Sequence, residues 1–188
     1  MDSAIRAVAV LCFGELGKVV NIQSHQFLPW ILDKNVVLEL DALSEVEKTF
    51  FIELLLLWIH HHRLQEPDRE KLKHVILIEE AHHILLRKKQ EIEGTETVVD
   101  TLIREIRELG EGIVVIDQHP SLVSRPALGN TYTTICLNLK EATDVRAASD
   151  AMLLKDDQRE YLGHLPVGQG IVKLQDRWTR PFLVDFPR

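Results

Sequence analysis

Val75 to Ile78 are four consecutive apolar residues, three of them β-branched, and two carboxylates, Glu79 and Glu80, come directly after. So short an apolar run suits a strand buried on both faces. A second run, Ile113 to Ile116, ends in the same way on Asp117-Gln118-His119-Pro120. Between the two lies Thr97 to Gly110, where Val98, Val99, Leu102, Ile103, Ile106 and Leu109 keep helical spacing and Gly110 and Gly112 end the helix. Strand, helix, strand predicts a parallel pair whose polar tips lie side by side, the place where open α/β sheets gather ligands.

The remaining elements are read in the same way. Val36 to Leu40 predicts a strand, and Ser44 with Glu47 predicts a capping box opening a helix to about His62, with Phe50, Phe51, Leu54, Leu55, Trp58 and Ile59 on its apolar face. His60, His61 and His62 are consecutive there, point in different directions, and read as a solvated helix terminus. Thr133 to Asn138 predicts a fourth strand, Thr143 to Met152 a helix with Asp144 in its first turn, and Asp156 to Leu162 a short helix. Ile171 to Leu174 and Thr179 to Phe186 predict an antiparallel hairpin with Pro181 at an edge. The expected organisation is a single domain: a lead-in over 1–35, an αβ core over 36–154, and a short helix with the hairpin over 155–188.

Composition narrows the class. The chain of 188 residues is 45% apolar and 27% charged, typical of a globular protein, and its net charge of −7 opposes wholesale coating of nucleic acid while allowing a local basic channel. Cys12 and Cys136 are too few for a disulfide framework or a thiolate metal site, which implies a reducing, cytoplasmic setting. The most apolar stretch, Phe50 to Ile59, contains Glu53 and falls short of the ~20 residues that span a bilayer.

A strand that ends in adjacent acids is also the Walker B pattern of nucleotide hydrolases, in which one acid stands by Mg²⁺ or its waters and the next polarises the attacking water. The alternative is that Glu79 and Glu80 favour the positive end of a helix starting near Ala81. Gly14-Glu-Leu-Gly17-Lys18 does not supply the complementary phosphate loop. Cys12 stands where its first Gly belongs and Val19 where its hydroxyl belongs, so the segment reads as a turn.

Ile78-Glu-Glu-Ala-His82, Arg104-Glu-Ile-Arg107-Glu-Leu-Gly110-Glu-Gly112, Ile116-Asp-Gln118-His-Pro120, Asn130-Thr131, Asp144, Leu165-Pro-x-Gly168 and Arg180-Pro-Phe-Leu-Val184 occur in that order. The series, over roughly residues 36 to 186, resembles the HerA-like and FtsK-like branch of RecA-type motor ATPases, most of all the HerA helicase/translocase group. The resemblance implies an α/β RecA-like P-loop NTPase core with a mainly parallel sheet, incomplete because the P-loop strand is absent, and a carboxyl-terminal antiparallel hairpin. It implies ATP and Mg²⁺ as cofactors, Glu79 as the metal-associated acid (usually Asp in the family), Glu80 as the catalytic acid, and Gln118 as the sensor of the γ-phosphate. Arg107 matches the arginine lent to a neighbouring subunit. Arg104 is the second candidate, with an Asp100–Arg104–Glu108 ion-pair ladder as its structural alternative.

Arg87, Lys88 and Lys89 fall where related rings line a channel, and so could grip DNA phosphates or simply be solvated. The implied partners are further copies in a ring, hexameric in the family, DNA through the centre, and a partner nuclease. The whole would be the carboxyl-terminal part of a larger ATPase, or a truncated relative of one, inactive by itself. Two other readings stay open: a non-catalytic oligomerisation or scaffold module that kept the fold, and a hydrolytic metal site built on Glu79, Glu80 and His82.

Overall fold

A computed structural model describes residues 17–18, 27–69, 71–86 and 97–187. The chain forms two compact units, Met1–Ile59 and His60–Arg188. In the first, α1 is Phe27–Leu32 and α2, which continues past the boundary, is Glu45–Leu64. The capping box at its start is present: the Ser44 amide and hydroxyl both donate to Glu47 Oε2, at 2.9 and 2.7 Å. This hold on the carboxylate keeps the Glu47 pKa below its usual value, chiefly through the Ser44 hydroxyl. Leu56 and Ile59 are the residues of α2 most shielded from water, whereas Phe50 and Leu54 stay exposed. Residues 35–40 form no strand, and Val37 is exposed. The β-branched pattern of Val36 to Leu40 is met by no pairing partner among the described residues, and a strand's backbone groups need one. Of the turn read at Gly14–Lys18 only Gly17 and Lys18 are described, and both are helical.

The second unit carries the α/β architecture. β1 (His74–Ile78) and β2 (Glu111–Val115) pair in parallel, from His74 opposite Glu111 to Ile78 opposite Val115. The connection between them includes α3 (Val98–Glu108), capped by Thr97 and Asp100 in a reciprocal box. Val99, Leu102, Ile106 and Leu109 of that segment are buried, the spacing the periodicity predicts. Asp100 is buried too and takes hydrogen bonds from the Thr97 and Ser124 hydroxyls. It is therefore turned inward, while Arg104 and Glu108 are exposed. The chain turns from α3 into β2 at Gly110, where φ is +95° and an added Cβ would collide with the Lys71 carbonyl oxygen. Only glycine fits there without strain.

β1 is not covered on both sides. Ile78 is buried, but Val75 and Leu77 are about half exposed, as are Val114 and Ile116 of the second strand and its extension. Among the described residues this sheet has two strands, so each keeps an unpaired edge.

After α4 (Arg125–Gly129), β3 (Thr133–Cys136) pairs antiparallel with β4 (Gln169–Leu174), and β4 with β5 (Phe182–Asp185). The hairpin is thus present, and the fourth strand joins it. α5 (Ala142–Met152) and α6 (Asp156–Arg159) lie between β3 and β4 in sequence. Cys136, Ala148, Met152, Leu154, Leu162, Leu165 and Ile171 form one buried cluster. Burial pushes the Cys136 thiol up to about 11, which leaves it protonated and unreactive. Among the described residues no helix is long and apolar enough to cross a membrane.

Candidate nucleotide site at the strand tips

The two parallel strands stay tied beyond their last residues. Ile116 N–H donates to the Ile78 carbonyl at 2.9 Å, and Ala81 N–H to the Ile116 carbonyl at 3.3 Å. This stitching brings Glu79-Glu80 and Asp117-Gln118 to one end of the sheet, although 38 residues separate Glu80 from Gln118. Gln118 Nε2 donates to Glu80 Oε1 at 2.8 Å. Glu79 is exposed, and Glu80 is partly so.

The backbone at Glu80 is left-handed, with φ 47° and ψ 47°, a conformation that costs a non-glycine residue of order 1 kcal/mol. Ala81–His83 then make a single 3-10 turn, where the sequence suggests a longer helix. The Glu80 side chain makes no hydrogen bond to that turn's backbone, so it does not act as a helix cap. A strained, uncapped carboxylate at a strand tip is the arrangement expected where side-chain direction matters more than local stability.

A histidine–carboxylate network, which local sequence patterns do not reveal as a unit, surrounds this pair. Asp117 Oδ2 accepts from the His82 backbone N–H at 2.6 Å and lies 3.0 Å from His82 Nδ1. His82 Nδ1 is also 3.6 Å from Glu80 Oε2. The other Asp117 oxygen accepts from the His119 backbone N–H at 2.6 Å. His119 Nδ1 is 3.1 Å from Asp144 Oδ2, while Ser121 N–H donates to Asp144 Oδ1 at 3.0 Å. Asp144, read from sequence as a first-turn acid and as one residue of the ordered motif series, is buried. The His119 pKa is raised, first by its hydrogen bond to Asp144 and then by the charges of Asp144, Asp117 and Glu80, with desolvation opposing. Asp144 moves the other way: burial would raise its pKa, but hydrogen bonds from Ser121 and His119 bring it below the usual carboxylate value. The one clue in the sequence is positional, since Asp117 comes after β2 much as Glu79 comes after β1.

The other predicted residues are on α3 or outside the described residues. Arg107 is exposed on α3, and its Nη1 donates to the Asn130 carbonyl at 3.1 Å. Arg104 is exposed one turn earlier. Arg87, Lys88 and Lys89 lie outside the described residues. The helix end at His60 is less solvated than expected, because His60 Nε2 is 3.1 Å from Glu105 Oε2 and its side chain is largely covered.

No protein-family model and no curated protein matches the chain. Solved structures do. The genome packaging NTPase B204 from Sulfolobus turreted icosahedral virus 2, in complex with AMP, aligns over 87% of this chain and 89% of its own, with a TM-score of 0.57 and 14% identity. The same NTPase in complex with sulfate aligns over 73% of this chain with a TM-score of 0.56 and 14% identity. It also aligns with AMPPCP bound, at a TM-score of 0.57 over 73% of this chain. In fold, the chain resembles a genome packaging NTPase. The α/β architecture is consistent with an incomplete RecA-like core, and in the sulfate complex the match spans 63% of the packaging NTPase's length.

Proposed function

We propose that this chain is the Walker B portion of a HerA-like, ATP-driven DNA helicase or translocase whose phosphate loop is supplied from outside the 188 residues. The observation that carries the reading is the 2.8 Å hydrogen bond between Gln118 and Glu80, on neighbouring tips of two parallel strands. A packaging NTPase of the same fold, solved with AMP and with ATP analogues, supports nucleotide as the ligand class.

The residues present suit Mg²⁺, and the amide of Gln118 suits one phosphate oxygen. Glu79 and Glu80 offer hard oxygen donors at an accessible strand end, which is what Mg²⁺ takes. When bound, Mg²⁺-ATP supplies an electrophilic phosphorus whose oxygens carry the developing charge. Glu79 serves the metal or its waters. Glu80 orients a water and draws on its proton. Gln118 has an amide able to donate to a phosphate oxygen. Turning that amide away from Glu80 would release the Oε1 it now holds, so sensing and water activation are coupled through one hydrogen bond. Arg107, exposed and steadied by Asn130, is the residue lent to a neighbouring copy, with Arg104 the second candidate. A ring of copies, hexameric in the family, would pass DNA through a central channel gripped by Arg87, Lys88 and Lys89, and would work with a nuclease.

The test is a titration of the purified chain with Mg²⁺ and ATPγS, monitored by amide NMR. Residues 79–82 and 117–119 are expected to shift, with a Kd on the order of millimolar because the nest of N–H groups that supplies most phosphate affinity is missing. Turnover by the chain alone is expected to be negligible. Robust hydrolysis abolished by Glu80→Gln would overturn the external phosphate loop. Strand tips unmoved by saturating nucleotide would overturn the ATPase reading. They would favour a non-catalytic scaffold, which the exposed apolar residues Val75, Leu77, Val114 and Ile116 also suit.

A further inference from the structure

His119, Glu141 and Asp144 are brought together from two elements that are distant in sequence. His119 sits on the loop after β2, and Glu141 and Asp144 belong to the first turn of α5, Glu141 at its cap position. One donor atom from each lies within 4.8 Å of the other two. The His119 Nδ1 to Asp144 Oδ2 separation is 3.1 Å, close to the edge of about 3.3 Å that two ligands at ~2.0 Å make around a tetrahedral ion. We propose that these three side chains bind a single divalent transition-metal ion, with Zn²⁺ the best match.

Donor chemistry selects the ion. An imidazole with two carboxylates suits zinc and its first-row neighbours better than Ca²⁺ or Mg²⁺, which take oxygen ligands only. Groups outside the triad hold each ligand. Asp144 Oδ1 takes the Ser121 N–H at 3.0 Å, which leaves Oδ2 aimed at the imidazole. Glu141 Oε1 takes the Thr143 hydroxyl at 2.6 Å. Asp117 Oδ1 takes the His119 backbone N–H at 2.6 Å and so fixes the loop from which the ring projects. Such outer partners orient metal ligands and typically account for 10–100-fold in affinity. Asp144 is buried, while His119 and Glu141 are exposed, so an ion has both an anchored ligand and a way in.

The electrostatics favour a dication. His119 lies in the field of Asp144, Asp117 and Glu80, all of them acidic. The plainer reading, a His–Asp pair beside two acids favoured by the helix start, makes no demand on the Glu141 side chain, whereas the metal site requires it. The neighbouring group Glu80–His82–Asp117 is a rival site, but both oxygens of Asp117 accept backbone N–H groups, from His82 and His119, whereas Asp144 commits only Oδ1 to one. An ion on His119 would tie the loop after β2 to α5, one residue from Gln118, without needing nucleotide.

The experiment is calorimetric titration of the whole chain with Zn²⁺, paired with Co²⁺ absorption, whose visible bands report a tetrahedral nitrogen–oxygen site. The wild-type chain is expected to show a site abolished, or weakened at least tenfold, by His119→Ala and by Glu141→Gln, and retained in His82→Ala. Glu141 is exposed, so that variant stays interpretable if another misfolds. A site that survives both His119→Ala and Glu141→Gln, one lost in His82→Ala, or no binding at all would overturn the assignment.

Discussion

The same two strands end in ionisable groups at both extremities, and the two ends are built on opposite terms. At the amino end Glu111 is fully buried. Its Oε1 accepts from Arg63 Nε at 2.5 Å and its Oε2 lies 2.8 Å from His74 Nδ1. Arg63 Nη1 and Lys73 Nζ both reach Glu66, at 2.7 and 2.6 Å. Here each carboxylate oxygen meets a guanidinium, ammonium or imidazole nitrogen. At the carboxyl end Glu79, Gln118 and His119 are exposed, Glu80 is strained, and Asp144, Asp117 and Glu80 all act on His119. A closed ionic network fixes a fold, whereas an open, acid-rich one has spare capacity for an external cation or a phosphate that carries its own metal.

The largest effect expected from this contrast is at Glu111. Glu111→Gln removes the main counter-charge of a buried guanidinium, and breaking such a pair typically costs 3–5 kcal/mol. Glu66 still pairs with Arg63, so a loss of about 3 kcal/mol in urea unfolding is expected. Glu80→Gln, a change at a half-exposed tip, should stay within about 0.5 kcal/mol. If the two substitutions cost the same, the distinction between a structural end and a functional end fails.

The next effect is one of pH. Glu66 has its pKa lowered, first by the Lys73 hydrogen bond and then by Arg63, against opposing desolvation. Arg63 is affected in the reverse sense: burial alone would lower its pKa, but Glu111 and Glu66 raise it, so it remains charged throughout. A carboxylate with a depressed folded pKa contributes stability that is fully present above its unfolded value, here 4.5, and lost as pH falls through the folded one. Thermal unfolding measured from pH 6 downward should therefore weaken below about 4.5, and Glu66→Gln should flatten that limb. His119 and Asp144 behave as a pair with two limits. The His119 contribution is present below 6.5 and fades as pH rises through its raised pKa, while the Asp144 contribution is present above 3.8 and fades as pH falls through its lowered one. Histidine NMR titration of the wild type against Asp144→Asn reads the first limit directly.

How much of the molecule is legible in its sequence depends on range. Apolar runs and helical spacing are local, so β1, α3, β2, α5 and the hairpin can be read, and Glu79, Glu80 and Gln118 can be placed at strand tips. Val36 to Leu40 misleads because strand propensity is realised only through a pairing partner, which no local pattern supplies. The Asp117–His82 and His119–Asp144 contacts span 35 and 25 residues, and only the finished packing joins them. Burial on both faces is likewise inferred for β1 from composition, yet Val75 and Leu77 are exposed, since an apolar strand is covered only where a second layer exists to cover it.

The smallest effect bears most directly on the carboxyl end. Glu80 keeps a left-handed backbone that glycine would adopt without penalty, which favours Glu80→Gly by of order 1 kcal/mol. Glycine gives back roughly 0.5–1 kcal/mol through the greater freedom of the unfolded chain. The hydrogen bond from Gln118 is lost as well, but it lies at an exposed position where water replaces it. The three terms nearly cancel, so the unfolding free energy of Glu80→Gly should fall within about 0.5 kcal/mol of wild type. A loss of about 2 kcal/mol or more would mean that the Glu80 carboxylate supports the fold, as Glu111 does. Near-neutrality would mean that the strained conformation is kept for the direction it gives the side chain, since nothing in the stability of the chain requires it.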